Sequence, residues 1–199
     1  IEEVHVCELG GPTFSYDNGV LTVVGTADND EISAHVDENG ILQVNVNEVQ
    51  FAITNSIVTQ INIDARCGHD WVILAENVTQ TAALTGGHGN DVIVAGGGAA
   101  TVDGGLGQDI ILGSHQNDFL NGGVGSDIIL GRGGDDYIVA GAGNDYVFGQ
   151  RGNDLIDGGA GNDYLNGGQG IDGIGGFAGN DTIVGGWGDD SLVGGEGND

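Results

Sequence analysis

The sequence has no lysine and no methionine, a single proline, two cysteines and only three arginines in 199 residues. Against those three cations stand 30 Asp and Glu, for a formal net charge of −27. Nucleic-acid binding is excluded, because displacing counterions from phosphates takes clustered cations. Docking on an anionic membrane surface is disfavoured for the same reason. No stretch of eighteen apolar residues occurs, so no transmembrane helix and no membrane insertion are expected. The opening Ile1-Glu2-Glu3 is acidic where a secretory signal would be basic. Residue 1 is not Met and the sequence stops at Gly197-Asn198-Asp199, so a processed or cropped piece of a longer chain is expected. Cys7 and Cys67 allow either one disulfide, which would suit an export compartment, or two buried thiols.

Aromatic residues make up only 6%, too few for a large conventional core, yet 39% is hydrophobic, more than a disordered acidic tail carries. Glycine is the abundant residue, 42 of 199. Collagen is excluded because glycine does not recur every third residue and proline is nearly absent. From Gly86 onward the order is instead a period of nine without insertion, as in Gly158-Gly159-Ala160-Gly161-Asn162-Asp163-Tyr164-Leu165-Asn166. Position eight is aliphatic in every full unit, including Ile93, Val102, Ile111, Leu120, Ile129, Ile138, Val147, Ile156, Leu165, Ile174, Ile183 and Leu192. Position six is Asp in every unit except one, where Ala100 stands.

One aliphatic residue in nine is too sparse for a helix face. It fits a three-residue strand whose middle side chain points inward. The other six residues must turn. Glycine at positions one, two and four supplies positive φ, and Asn at position five (Asn90, Asn117, Asn144, Asn153, Asn162, Asn180) tolerates the left-handed region. Stacked coils would then bury the aliphatic ladder between two facing sheets. The same stacking sets equivalent aspartates about 4.8 Å apart. At that distance two unit charges repel by about 3 kcal/mol at an effective dielectric of 20. A hard dication between turns removes the conflict. Ca²⁺ suits carboxylates and exposed main-chain carbonyls, Mg²⁺ demands a tighter octahedron, and Zn²⁺ would want His or Cys at fixed positions.

These nonads, G-G-x-G-x-D followed by an aliphatic residue two positions on, resemble the RTX (repeats-in-toxin) calcium-binding nonapeptide family over residues 86–199. The resemblance implies an all-β, right-handed parallel β-roll with two nonads per coil. It also implies a carboxylate ligand from position six, carbonyl ligands from positions two and four, and the early carbonyls of the next turn to complete the shell. Carried onto this sequence, one edge holds Asp91, Asp109, Asp127, Asp145, Asp163, Asp181 and Asp199, and the other Asp118, Asp136, Asp154, Asp172 and Asp190. The carbonyl donors are those of Gly87, Gly89, Gly105, Gly107, Gly123, Gly125, Gly141, Gly143, Gly159, Gly161, Gly168, Gly170, Gly179, Gly186 and Gly188, together with Gly134 and Gly152. Bracketing gives six ions on the first edge and four on the second, about ten in all, which moves the net charge from −27 to −7. Ala100 should weaken the first slot of the second edge. Ser114, Gln116, Arg132 and Gln150 change side chains but leave carbonyls available. The strand around Ile174, flanked by Gly173 and Gly175, should pack least well, and Phe177 at position two is anomalous.

Residues 1–85 read as a β-rich cap and longer, irregular coils, with apolar alternation at 20–24, 31–36, 41–46, 49–54, 58–63, 71–75 and 78–84. Degenerate nonads occupy Gly25–Ser33 and Ala65–Ile73, with Asp30 and Asp70 at position six. Their separation of forty reads as two steps of about twenty, and Asp70 is expected to stack beneath Asp91 and help hold a further ion. A separate β-sandwich cap is the alternative. Residues 1–20, with Val4, Val6, Leu9, Phe14 and Tyr16, should cover the open end, and Asp37-Glu38-Asn39-Gly40 reads as a hairpin turn.

Positions seven and nine point outward, and on one sheet they form an apolar strip: Val92, Val94, Ile110, Leu112, Ile128, Leu130, Tyr146 and Phe148. Such a strip reads either as a contact surface for another copy or a neighbouring domain, or simply as strand propensity. No H-E-x-x-H or G-x-S-x-G motif is present and the aspartates are committed to stacking, so an enzyme is not expected. Position three carries no threonine row, which argues against an ice-binding version of the roll. The reading is an extracellular, secreted or cell-surface calcium-binding structural module that folds on Ca²⁺ and serves adhesion, a surface layer or filament assembly. The alternative is the C-terminal folding and secretion module of a larger exported enzyme or toxin.

Overall fold

The computed structural model describes residues 10–199, and within them the chain winds as a parallel β-solenoid of about eight turns. The elements open with β1 (Thr13–Asp17), β2 (Val20–Val24), β3 (Glu31–Val36), β4 (Ile41–Val46), β5 (Val49–Thr54), β6 (Gln60–Asp64), β7 (Trp71–Leu74), β8 (Thr81–His88) and β9 (Val92–Val94). From there strands alternate between two ten-stranded sheets. The first sheet runs β1-β2-β6-β8 and continues through Ala100–Leu106 to Ser191–Glu196; the second runs β5-β4-β3-β7-β9 and continues through Ile110–Leu112 to Thr182–Trp187.

Strict periodicity fixes the register. In the first sheet Ile63, Leu84, Val102, Leu120, Ile138, Ile156, Ile174 and Leu192 pair in succession. In the second, Ile32, Val72, Ile93, Ile111, Ile129, Val147, Leu165 and Ile183 do the same. These are the position-eight side chains, and from Ile93 to Ile174 all are buried. Each such side chain stabilises by roughly 1.5–3 kcal/mol, and two continuous ladders supply the core that the scarcity of aromatics denies. The flanking glycines do not loosen Ile174, which is 2% exposed.

Two local explanations from the sequence are corrected. Glycine at position one does not adopt positive φ; that conformation belongs to positions two and four, as at Gly105 (103°) and Gly107 (133°). Position one needs glycine for space: a Cβ on Gly104 would sit 2.5 Å from Gly122 O and 2.6 Å from Asp109 Oδ2. Nor is any position-five Asn in the left-handed region. The Asn side chains form a ladder in which each Oδ1 accepts the main-chain N–H of the next coil, as Asn144 does from Asn162 (2.7 Å) and Asn162 from Asn180 (2.9 Å).

The N-terminal end differs from the roll by using antiparallel strands. β1 folds back on β2, and β3-β4-β5 form a meander whose first turn is at 37–40. Asp30 N donates to Asp70 Oδ1 (2.6 Å), so the forty residues between them are one coil with a hairpin excursion rather than two coils. Phe14 stacks on Phe51 (5.3 Å between centroids) and both pack on the core, joining the two antiparallel edges over the end of the roll. Val4, Val6 and Leu9 of the expected cap lie outside the described residues. So does Cys7; Cys67 itself is disulfide-bonded, not a free thiol.

Candidate metal centre

The position-six aspartates form two columns, one along each edge where the chain passes between sheets. In the first column the Oδ1 of each Asp accepts the main-chain N–H of its counterpart one coil earlier. Asp70 N donates to Asp91 (2.8 Å), Asp91 N to Asp109 (2.8 Å), Asp109 N to Asp127 (2.8 Å) and Asp127 N to Asp145 (2.8 Å). The chain of bonds continues through Asp163 and Asp181 to Asp199. In the second column Ala100 N donates to Asp118 (2.7 Å), and the ladder runs on through Asp136, Asp154 and Asp172 to Asp190. Asp70 therefore stacks beneath Asp91, and Asp30 lies one step further back.

The second carboxylate oxygen behaves differently. Oδ2 of Asp70, Asp91, Asp109, Asp127, Asp145, Asp163 and Asp181 in the first column, and of Asp136, Asp154 and Asp172 in the second, is buried with no hydrogen-bond partner. Buried acceptors without partners are rare and costly. Ten of them in phase require a common cause. In the gap between the turns 86–91 and 104–109, Asp91 Oδ2 and Gly104 O lie 2.5 and 2.7 Å from where a Cβ on Gly86 would sit. The carbonyls of Gly87 and Gly89 face the same gap: a Cβ on Gly105 or Gly107 would collide with them. The same relation repeats for Gly105, Gly107, Gly123, Gly125, Gly141, Gly143, Gly161 and Gly179, and in the second column for Gly134, Gly152, Gly168 and Gly170. Arg66 O and Gly68 O, missed in the sequence, stand in these positions one coil earlier.

A gap lined by one carboxylate oxygen and several carbonyls is a hard-oxygen cage, and it fits a dication such as Ca²⁺. Among the described residues no three His, Cys, Asp or Glu side chains converge, so the main chain must supply most of any shell. The protonation energetics agree. Burial raises Asp70 and Asp109 to about 7, Asp136 to about 8, and Asp145, Asp154 and Asp163 to about 6. The accepted N–H pulls each back in part, and the charge of neighbouring aspartates pushes it up again. Asp91, Asp118, Asp127 and Asp172 are raised by burial too.

Not every predicted residue shares this environment. Both oxygens of Asp118 are occupied: Ser114 N donates to Oδ2 (2.6 Å), and Ser114 Oγ (3.0 Å) and Ala100 N donate to Oδ1. Ser114 thus does more than leave a carbonyl available, and the signal for it was a hydroxyl four residues before the aspartate. Arg132, Gln150 and Phe177 hold position two at positive φ (76°, 78° and 69°) without glycine. Phe177 lays its ring against Gly175, where a Cβ would meet Cε2 at 2.8 Å, and walls an outer groove of about 610 Å³ with Tyr137, Leu155 and Val193.

The outer strip of the second sheet is solvent-facing: Ile110, Ile128 and Tyr146 are 38%, 40% and 55% exposed, and Val92, Val94, Leu112, Leu130 and Phe148 are half-buried. Trp71 extends it by one coil, and Tyr164 continues it, packed against Tyr146 and Phe148. No helix among the described residues is long and apolar enough to cross a membrane.

No curated protein and no solved structure matches the chain. The profile of the RTX calcium-binding nonapeptide repeat matches it four times in near succession, over residues 83–111, 112–147, 139–174 and 176–199. With its nonads wound into a parallel roll and its aspartates stacked along both edges, the chain belongs to the RTX calcium-binding nonapeptide repeat family.

Proposed function

We propose that this calcium-binding structural module works outside the cell, folds as Ca²⁺ binds, and then presents the apolar face of its second sheet for assembly with further copies or with neighbouring domains. The observation that carries the first part is the set of ten partnerless Oδ2 atoms. A buried row of ionised carboxylates is self-repulsive at neutral pH, so without cations the coils separate, and with cations the same row holds them in register. One ion per orphaned oxygen gives ten: seven along the first edge, the six bracketed there and the further one at Asp70, and three along the second in place of four, because Asp118 has no orphaned oxygen. Each would take Asp Oδ2, the carbonyls of positions two and four of its own turn and the position-one carbonyl of the next.

Cytosolic calcium would leave the array extended and extracellular calcium would fold it, through preferential binding to the folded state. Sites of this kind in extracellular modules bind at about 10⁻⁴–10⁻³ M. No catalytic role is assigned, since the position-six aspartates are engaged in stacking. The strip from Trp71 to Phe148 supports the assembly role, because a contiguous exposed apolar band on a highly acidic protein is costly unless covered. A calcium titration followed by far-ultraviolet circular dichroism and light scattering tests both parts. Sheet signal should rise with calcium, and particle mass should rise after it. Sheet content unchanged by chelation would refute the folding role, and a folded, calcium-loaded monomer at high concentration would refute the assembly role.

A further inference from the structure

Two aspartate-bearing turns in the columns are built differently from the other aspartate-bearing turns. In the turn 113–118 neither Ser114 nor Gln116 has positive φ, and in 25–30 neither Thr26 nor Asp28 does. Turns whose aspartate leaves Oδ2 without a partner have positive φ at both positions, including 65–70, where Arg66 (77°) and Gly68 (132°) supply it. The consequence is chemical. With position two out of the left-handed region, its N–H turns inward and donates to the aspartate of its own turn: Ser114 N to Asp118 Oδ2 (2.6 Å) and Thr26 N to Asp30 Oδ2 (2.5 Å). The hydroxyls add a second donor, Ser114 Oγ to Asp118 Oδ1 and Thr26 Oγ1 to Asp30 Oδ1, each at 3.0 Å. Asn47 Nδ2 gives Asp30 a third (2.7 Å). Asp30 and Asp118 head the two columns, and neither appears among the buried carboxylates with an orphaned oxygen.

We infer that Thr26 and Ser114 decide metal occupancy: they close the gaps above Asp30 and Asp118 with protein donors, so that each column begins with a turn that takes no cation. This inference deepens the calcium reading and rests on it. A carboxylate satisfied by an N–H and a hydroxyl has no need of a cation, and the inward N–H presents partial positive charge where a cation would sit. The columns thus start from metal-independent turns on which cation-closed turns stack, and the residue at position two is the switch: glycine or another residue at positive φ opens the gap, and Ser or Thr at ordinary φ seals it.

The test is calcium stoichiometry of the full chain, by equilibrium dialysis and elemental analysis, with circular dichroism to verify the fold. Asp118→Asn should leave the number of bound ions unchanged, whereas Asp136→Asn lowers it by one. The double variant Ser114→Gly, Gln116→Gly restores the glycines of an open turn and should raise it by one. Loss of an ion in Asp118→Asn overturns the inference, as does an unchanged count in a folded double variant. If the double variant does not fold, the comparison of Asp118→Asn with Asp136→Asn decides alone. A wild-type chain that folds and binds no calcium overturns the calcium reading, and this inference with it.

Discussion

Replacing Asp145 by Asn should change stability in opposite directions with and without calcium. Asp145 is 1% exposed and stacked between Asp127 and Asp163. Its Oδ1 accepts Asp127 N at 2.8 Å, a bond that an amide oxygen preserves, while its Oδ2 has no partner. With calcium present the substitution removes one anionic ligand and one binding event. At a free concentration of about 100 times the dissociation constant, that event contributes about 2.7 kcal/mol. Without calcium the same change deletes a buried charge from between two others, each repelling it by about 3 kcal/mol at rung spacing and an effective dielectric of 20. The measurement is denaturant unfolding in calcium, paired with far-ultraviolet ellipticity in chelator at about pH 8, where this carboxylate, raised to about 6, is ionised. The variant should be weaker than wild type in calcium and hold more sheet in chelator. A shift of the same sign in both conditions, or none in either, refutes the reasoning.

Three further outcomes follow from the structure. Because burial raises Asp70, Asp109, Asp136, Asp145, Asp154 and Asp163 from 3.8 to between about 6 and about 8, their protonated forms favour the folded state. The metal-free chain should therefore be most compact below about pH 4 and lose sheet as pH rises through about 6 to 8, with calcium affinity rising over the same window; ellipticity of the chelated chain that increases with pH would contradict this. Ile129→Ala, at a fully buried rung, should cost about 2–5 kcal/mol in calcium-loaded unfolding while leaving the number of bound ions intact. Gln150→Gly relieves a non-glycine residue held at φ 78° and should stabilise by roughly 1 kcal/mol, read from the same denaturation curves.

The roll was legible because its information is one-dimensional. A residue recurring every nine positions fixes strand length and the inward ladder, whatever the details of the turns, and the RTX resemblance adds that two nonads make a coil, which stacks Asp91 on Asp109. Those details depend on which main-chain atoms meet across coils, and spacing carries no trace of that. Hence glycine at position one was read as a conformational need when its cause is the crowding of Asp Oδ2 against the next carbonyl. Asn at position five was read as a turn former when it bonds the coil above. The forty-residue gap from Asp30 to Asp70 is compatible with two coils by spacing, and only the antiparallel pairing of residues 31–54 shows that it is one. Ser114 was legible in principle, since a hydroxyl stands where glycine is the rule, but its effect required knowing that its N–H turns inward.

The most direct test of the central claim is anomalous diffraction from calcium-grown crystals of the chain. The account predicts two straight rows of calcium peaks, each peak bonded to one of the orphaned Oδ2 atoms from Asp70 to Asp181 along the first edge and from Asp136 to Asp172 along the second. A folded roll whose aspartate columns carry no calcium peaks, or whose calcium lies away from them, would contradict it.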